Sequence, residues 1–180
     1  LAPQADSSTY SDLQEDAYFE ATRAARRVGN TRFLADLARA VGQPGRLLDV
    51  GCGDGLLMAQ AHAAGWRVAG VEIRARLVQR LRSQDMEAQI HHGFLEDASF
   101  PDASFDVVTL INVLEHVRDP LRMVRECGRV VRPGGLVAVH VPNIGGLRAR
   151  LSGARWKHYE PLEHLYYFDR RTLRALLEHC

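Results

Sequence analysis

The stretch LLDVGCGDG, residues 47 to 55, places three glycines at alternate positions after an apolar run and sets Asp49 and Asp54 among them. Glycines in such a turn let a ligand approach the backbone closely. A further acid, Glu72, lies 21 residues beyond Gly51, the separation at which a carboxylate accepts hydrogen bonds from a ribose diol. A dinucleotide satisfies the glycines and Glu72 but not the acids of the turn. A pyrophosphate beside Asp49 and Asp54 meets like-charge repulsion that a helix N-terminus offsets poorly. The spacing is also G-x-G-x-G, not the G-x-G-x-x-G of dinucleotide sites. S-adenosylmethionine removes the conflict, because it carries adenosine, no phosphate and a cationic amino-acid end. In this reading Asp49 attracts the positive end and Glu72 holds the ribose.

Methyl transfer from a sulfonium is an in-line displacement whose leaving group needs no proton. The protein has mainly to align nucleophile, methyl and sulfur. For a hydroxyl or amine acceptor a base helps, and His116, His158 and His164 are the candidates. The stretch WKHYEPLEHLYYF (156 to 168) concentrates aromatics and histidines and reads as a substrate lining or as a packed loop. No metal-ligand set is read from the sequence: His91 and His92 end a strand at the surface, and Cys52, Cys127 and Cys180 have no ligand spacing. No base is visible to activate Cys52, which reads as small packing.

These residues need a scaffold. RLLDV (46 to 50) reads as a buried strand, GLLMAQAHAAG as a helix stopped by Gly65, and WRVAGVEI (66 to 73) as a second strand. RARLVQRLRSQ (74 to 84) is a helix, EAQIHH (87 to 92) a weaker strand and FDVVTLI (105 to 111) a strong one. DPLRMVRECGRVV (119 to 131) is a helix capped by Asp119 with Pro120 in its first turn, and PGG turns the chain into LVAVHV (136 to 141). Before them, residues 10 to 42 read as two helices broken near VGN (28 to 30), after a loose segment 1 to 9. Strands alternating with helices predict an α/β fold: a doubly wound, mostly parallel Rossmann-like sheet with helices on both faces. In such a sheet ligands sit at the carboxyl ends of the strands, where the strand order reverses.

Bulk properties are compatible with one domain. The chain has 180 residues, 46% hydrophobic and 25% charged, with a formal net charge of +1. That charge gives no general field toward nucleic acid or an anionic membrane. No apolar run reaches membrane-spanning length. Three cysteines without a pairing pattern fit a reducing, cytoplasmic compartment.

With these motifs in place, residues 15 to 180 resemble the class I S-adenosylmethionine-dependent methyltransferases, and the tail from Pro142 resembles a bacterial subgroup acting mostly on small metabolites. LLDVGCGDG is similar to the family's first motif, with Gly51, Cys52 and Gly53 lining the cofactor. GVEI is similar to its acidic strand end, which adds Ile73 to Glu72. The segment HHGFLEDASFPDASFDVVTLINVLEHVRDP and the turn VVRPGGLVAVHVPN also resemble family segments. The resemblance implies that Phe94 and Leu95 flank the adenine, that Glu96 reaches its amino group, and that the Leu110 carbonyl receives the methionyl amine. Asn112 stands where many relatives have an acid. The proline-aromatic tetrapeptide of DNA amino-methyltransferases and the Pro-Cys context of cytosine C5 chemistry are both missing, which favours a small-molecule acceptor.

Residues 46 to 141 are therefore expected to form the cofactor core, 142 to 168 a substrate-side segment and 169 to 180 a helix. Only five strands are readable, so the last two of the resembled fold are expected to lie outside this chain. Two alternatives stay open: a non-catalytic S-adenosylmethionine-binding protein, and a nicotinamide-dependent oxidoreductase. Oligomeric state is left open.

Overall fold

The computed structural model describes residues 12–84 and 86–179. The segment 1 to 9, expected to be loose, lies outside the described residues. A long helix α1 (Asp12–Val41) precedes β1 (Arg46–Val50), α2 (Leu56–Ala63), β2 (Arg67–Glu72), α3 (Ala75–Arg82) and β3 (Ala88–His92). A single 3-10 turn at Leu95–Asp97 leads to β4 (Phe105–Ile111), α4 (Pro120–Val130) and β5 (Val131–His140). After α5 (Leu147–Ser152) and a second 3-10 turn (Gly153–Arg155), α6 (Arg170–Glu178) ends the described chain.

The strands form one sheet in the order β3-β2-β1-β4-β5, and every pairing is parallel. The order reverses between β1 and β4, so the crevice at their carboxyl ends is where a ligand is expected. Because side chains alternate along a strand, each strand feeds both layers. Leu47, Val68 and Val107 join Leu34 and Leu37 of α1 and Leu57, Met58 and Ala61 of α2 on one face. Leu48, Val71, Val108 and Leu110 join Met123, Val124 and Cys127 of α4 on the other. Near-continuous apolar runs are what two covered faces require.

Two expectations are corrected. The two helices broken near residues 28 to 30 are a single helix, α1. A glycine inside a helix costs about 1 kcal/mol relative to alanine, and contacts on both sides of Gly29 hold the helix across it. The Asn30 amide donates to Gln60 Oε1 (3.1 Å), while Gln60 Nε2 donates to the Arg27 carbonyl (2.9 Å) and the Thr31 hydroxyl (3.2 Å). The second correction concerns β5, which begins at Val131 rather than after the PGG turn. Phe105 pairs Val131 and Val107 already pairs Leu136, so the extra residues are absorbed as a bulge with Gly134 at φ 75°. Asp106 holds that bulge, accepting from Arg46 N (2.6 Å) and Arg132 Nε (2.7 Å).

The start of α4 follows the sequence reading. Asp119 caps it by accepting from Arg122 N (2.9 Å), with Pro120 as its first residue. The cap matters for the site, because it fixes the far end of the loop that leaves β4.

Candidate active site

The glycine turn crosses the carboxyl end of β1. Gly51, Gly53 and Gly55 have φ of 72°, 55° and 74°, the left-handed region that a residue with a Cβ enters only under strain. That is why glycines alternate here. The turn is pinned to the neighbouring strand, since Gly51 N and Cys52 N both donate to the Val71 carbonyl at 2.8 and 3.1 Å.

Two buried carboxylates flank the turn. Glu72 accepts from Gly53 N (2.9 Å) through one oxygen, and from Arg74 N and Nε (both 3.0 Å) through the other. Burial raises its pKa against the lowering effect of those donors. Asp49 is 4% exposed and accepts from the Thr109 hydroxyl at 2.6 Å. Burial pushes it up to about 7, only partly opposed by that hydrogen bond, and the nearby charges of Glu72 and Asp54 push the same way. A carboxyl poised in this way ionises readily when a cation arrives.

Asp54 plays a different part from the one its position suggests. Arg26 of α1 holds it bidentately, Nη1 to Oδ1 at 2.8 Å and Nη2 to Oδ2 at 2.6 Å. Burial opposes ionisation, but the guanidinium keeps Asp54 below the ordinary carboxylate range. Its charge is therefore matched, and the repulsion argued from two acids in the turn rests on Asp49. Arg26 also donates to the Phe19 carbonyl (3.0 Å) and lies 5.1 Å from the Phe19 ring centroid. A Cβ at Gly53 would stand 3.2 Å from that ring. The first half of α1 thus rests on the glycine turn, a contact that sequence spacing does not reveal.

The other expected cofactor residues distribute around the same end of the sheet. Ile73 and Phe94 are exposed at its edge. Leu95, expected with Phe94 to flank the adenine, is fully buried in the core, whereas the Phe94 side chain is exposed. One Glu96 oxygen is buried without a hydrogen-bond partner, and the other lies 3.6 Å from Arg122 Nε. Leu110 is buried in β4. Asn112 follows it with φ 54°, and its side-chain oxygen meets His140 Nδ1 at 3.1 Å. Cys52 is buried, and burial pushes its thiol up, which removes thiolate chemistry and fits the packing role.

Beyond Asn112 the loop from β4 meets the long segment after β5. That segment is closed at its ends, where Asn143 bridges Phe168 and Ile144 N donates to the Phe168 carbonyl at 2.9 Å. Leu165 N and Tyr166 N both donate to the Glu115 carbonyl, at 2.7 and 3.2 Å. Tyr166 Oη donates to the Arg118 carbonyl at 2.9 Å. His116 and His164, two of the three candidate bases, are brought edge to face with centroids 4.8 Å apart. His158 contributes its carbonyl to His164 Nδ1 (2.9 Å) while its ring packs against Trp156. Burial lowers the pKa of both His116 and His158.

The residue missed in the sequence is Glu115. It is 1% exposed, neither carboxylate oxygen has a hydrogen-bond partner, and burial pushes it up to about 7. A charged residue inside the apolar run VLEHV was its only signal. Two concavities of about 530 and 520 Å³ lie elsewhere, along α6 and at the amino ends of β1, β2 and β4.

A family model described as a methyltransferase domain matches residues 21–180, nearly the whole chain. The chain belongs to the class I S-adenosylmethionine-dependent methyltransferases. Among curated proteins, this methyltransferase domain is 38% identical over 97 residues to a probable S-adenosylmethionine-dependent methyltransferase of Mycolicibacterium smegmatis, covering 54% of this chain and 38% of that protein. It is 36% identical over 113 residues to a ubiquinone biosynthesis O-methyltransferase of Xanthomonas campestris, covering 59% and 47%. The matched part thus spans less than half the length of either relative. Among solved structures, a SAM-dependent methyltransferase from Archaeoglobus fulgidus superimposes with a TM-score of 0.72 at 20% identity, covering 91% of this chain and 72% of that one. At that identity the likeness concerns the fold.

Proposed function

We propose that this domain transfers a methyl group from S-adenosylmethionine to an oxygen, nitrogen or carbon nucleophile of a small molecule. The observation that carries the reading is the pair of buried acids, Asp49 and Glu72, on either side of a left-handed glycine turn at the strand-order reversal. The residues fit the cofactor: the turn offers close backbone approach, Glu72 a carboxylate for the ribose diol, and Asp49 a carboxylate for the methionyl ammonium. Phe94 is the exposed ring nearest in sequence to the expected adenine position. When bound, S-adenosylmethionine supplies an electrophilic methyl on a sulfonium.

The chain's own residues then have three tasks. Asp49 holds positive charge, the glycine turn and Glu72 fix the adenosine, and the segment Asn143–Phe168 walls the acceptor side. His116, His158 and His164 lie where that wall meets the β4 loop, and a neutral imidazole there suits removal of a proton from a hydroxyl or amine. Desolvation lowers the pKa of His116 and His158, which favours the neutral ring. No described helix is long and apolar enough to cross a membrane. The buried thiols of Cys52 and Cys127, neither in a disulfide, suit the cytoplasm.

Calorimetric titration with S-adenosylmethionine, S-adenosylhomocysteine and NADH tests the cofactor, and mass-spectrometric screening of small phenols, amines and carboxylic acids tests transfer. Binding of the two sulfur ligands with a mass gain of one methylene unit on an acceptor is expected. Preference for NADH, or cofactor binding without transfer to any small nucleophile, would overturn the reading in favour of one of its alternatives.

A further inference from the structure

We propose that Glu115, His116 and His164 form a binding site for one divalent transition-metal ion beside the cofactor crevice. One oxygen of Glu115 and one ring nitrogen of each histidine lie within 4.8 Å of one another. Glu115 and His164 are buried, and His116 is exposed and opens the group to one side.

Two independent features distinguish this group from a chance cluster. Both oxygens of Glu115 are buried with no hydrogen-bond partner. A buried polar group left unsatisfied is costly, and an ion is one of the few things that account for it. Then there is the orientation of the rings. His116 Nδ1 meets the Glu163 carbonyl at 3.0 Å and His164 Nδ1 meets the His158 carbonyl at 2.9 Å. A carbonyl only accepts, so each Nδ1 donates, which leaves each Nε2 as the ring nitrogen able to bind an ion. Backbone carbonyls on the far nitrogen are the usual way a ligating histidine is oriented.

The donor set selects the metal class. Two imidazoles and one carboxylate suit zinc, iron(II), cobalt or nickel better than magnesium or calcium, which prefer all-oxygen ligands. Donor atoms around a tetrahedral zinc stand about 3.4 Å apart for bonds of about 2.1 Å. The widest separation in the present group, 4.8 Å, therefore has to close by about 1.4 Å, within the reach of side-chain rotation. Glu160 stands at the rim as a second carboxylate, its Oε2 3.5 Å from His164 Nε2.

Three protein ligands leave a coordination position for a substrate oxygen. Glu115 and His116 sit on the loop leaving β4, whose Val113 lies beside Gly51 of the glycine turn. An oxygen of the acceptor bound there would be oriented toward the cofactor, which narrows the acceptor to an oxygen-bearing molecule. This last step rests on the methyltransferase reading above; the metal site itself does not.

The test uses chelator-stripped protein titrated with cobalt(II), followed by visible absorption and by competition with zinc. One equivalent of cobalt should produce ligand-field bands that zinc abolishes. In His116→Ala, an exposed position whose loss spares the core, cobalt affinity should fall at least about 100-fold, more than loss of an outer-shell partner costs. Glu115→Gln should behave alike, with circular dichroism confirming its fold. S-adenosylmethionine calorimetry on the same His116→Ala sample should stay within about twofold of the parent, since no cofactor group is assigned to that ring. Featureless spectra in the parent protein, or cobalt binding equally strong in His116→Ala, would overturn the site. Metal binding without cofactor binding would instead overturn the methyltransferase reading and leave the site standing.

Discussion

The hydroxyl of Thr109 donates a 2.6 Å hydrogen bond to Asp49, across the two strands between which the sheet order reverses. The two residues are register partners on β1 and β4. Asp49 is thus held toward the crevice, while its burial raises its pKa to about 7.

Cofactor affinity should consequently depend on pH. A cationic ligand end binds the ionised carboxylate better, so affinity should rise as pH passes upward through about 7. Below that it should fall by up to tenfold for each pH unit, the limit for one proton taken up. Thr109→Val removes a bond that favours ionisation, so its profile should shift to higher pH. Glu72, Asp54 and Cys52 face the same space, and Asp49→Asn distinguishes their contribution. Calorimetry from pH 5.5 to 8.5 reads all three proteins; superimposable profiles would refute the role of Asp49.

Stability should show the opposite trend. A carboxyl whose folded pKa lies above its unfolded value contributes fully below the unfolded pKa, and that contribution is lost as pH rises through the folded one. For Asp49 the window runs from about 4 to about 7. Asp49→Asn should therefore lose less stability than the parent over that window in urea titrations without cofactor.

Glu72→Ala should weaken S-adenosylmethionine by about 1–3 kcal/mol, the scale of charge-assisted hydrogen bonds. Because Glu72 also accepts from Gly53 N at 2.9 Å, part of the loss should appear as a lower melting temperature. Cofactor binding equal to that of the parent would remove Glu72 from the ribose.

Arg26→Ala should destabilise the fold by about 2 kcal/mol, since it strands the buried Asp54 carboxylate. Arg26→Ala with Asp54→Ala should cost less than the two single changes added together. Chemical denaturation of the four proteins measures the coupling; strict additivity would mean that α1 is not anchored there.

His158→Ala should lower turnover while leaving the melting temperature and cofactor affinity nearly unchanged, because the backbone carbonyl that it gives to His164 is kept and the loss is a ring contact with Trp156. His164→Ala should lower turnover and also cost about 1–2 kcal/mol, since its ring is buried and bonded. Full turnover in both variants would move the acceptor away from the segment Asn143–Phe168.

What the sequence alone determined about this chain is mostly local. Left-handed φ at Gly51, Gly53 and Gly55 follows from residue type, and the cap at Asp119 with Pro120 is written in adjacent residues. The apolar runs at 46–50 and 105–111 had to be strands covered on both faces, and parallel order then placed the glycine turn and Glu72 at one end. The continuity of α1 across Gly29 was not legible, because the contacts that hold it come from Gln60 on another helix. Likewise Asp54 reads as a free acid until Arg26 is folded onto it, and Asp49 as an ordinary one until burial and Thr109 act on it. Glu115 and His164 are brought together only when the segment after β5 docks on the loop after β4. Periodicity and turn chemistry act over a few residues, whereas the charge state of a carboxyl depends on what surrounds it in space. That surrounding came from distant parts of the chain, and only the tertiary structure decided it.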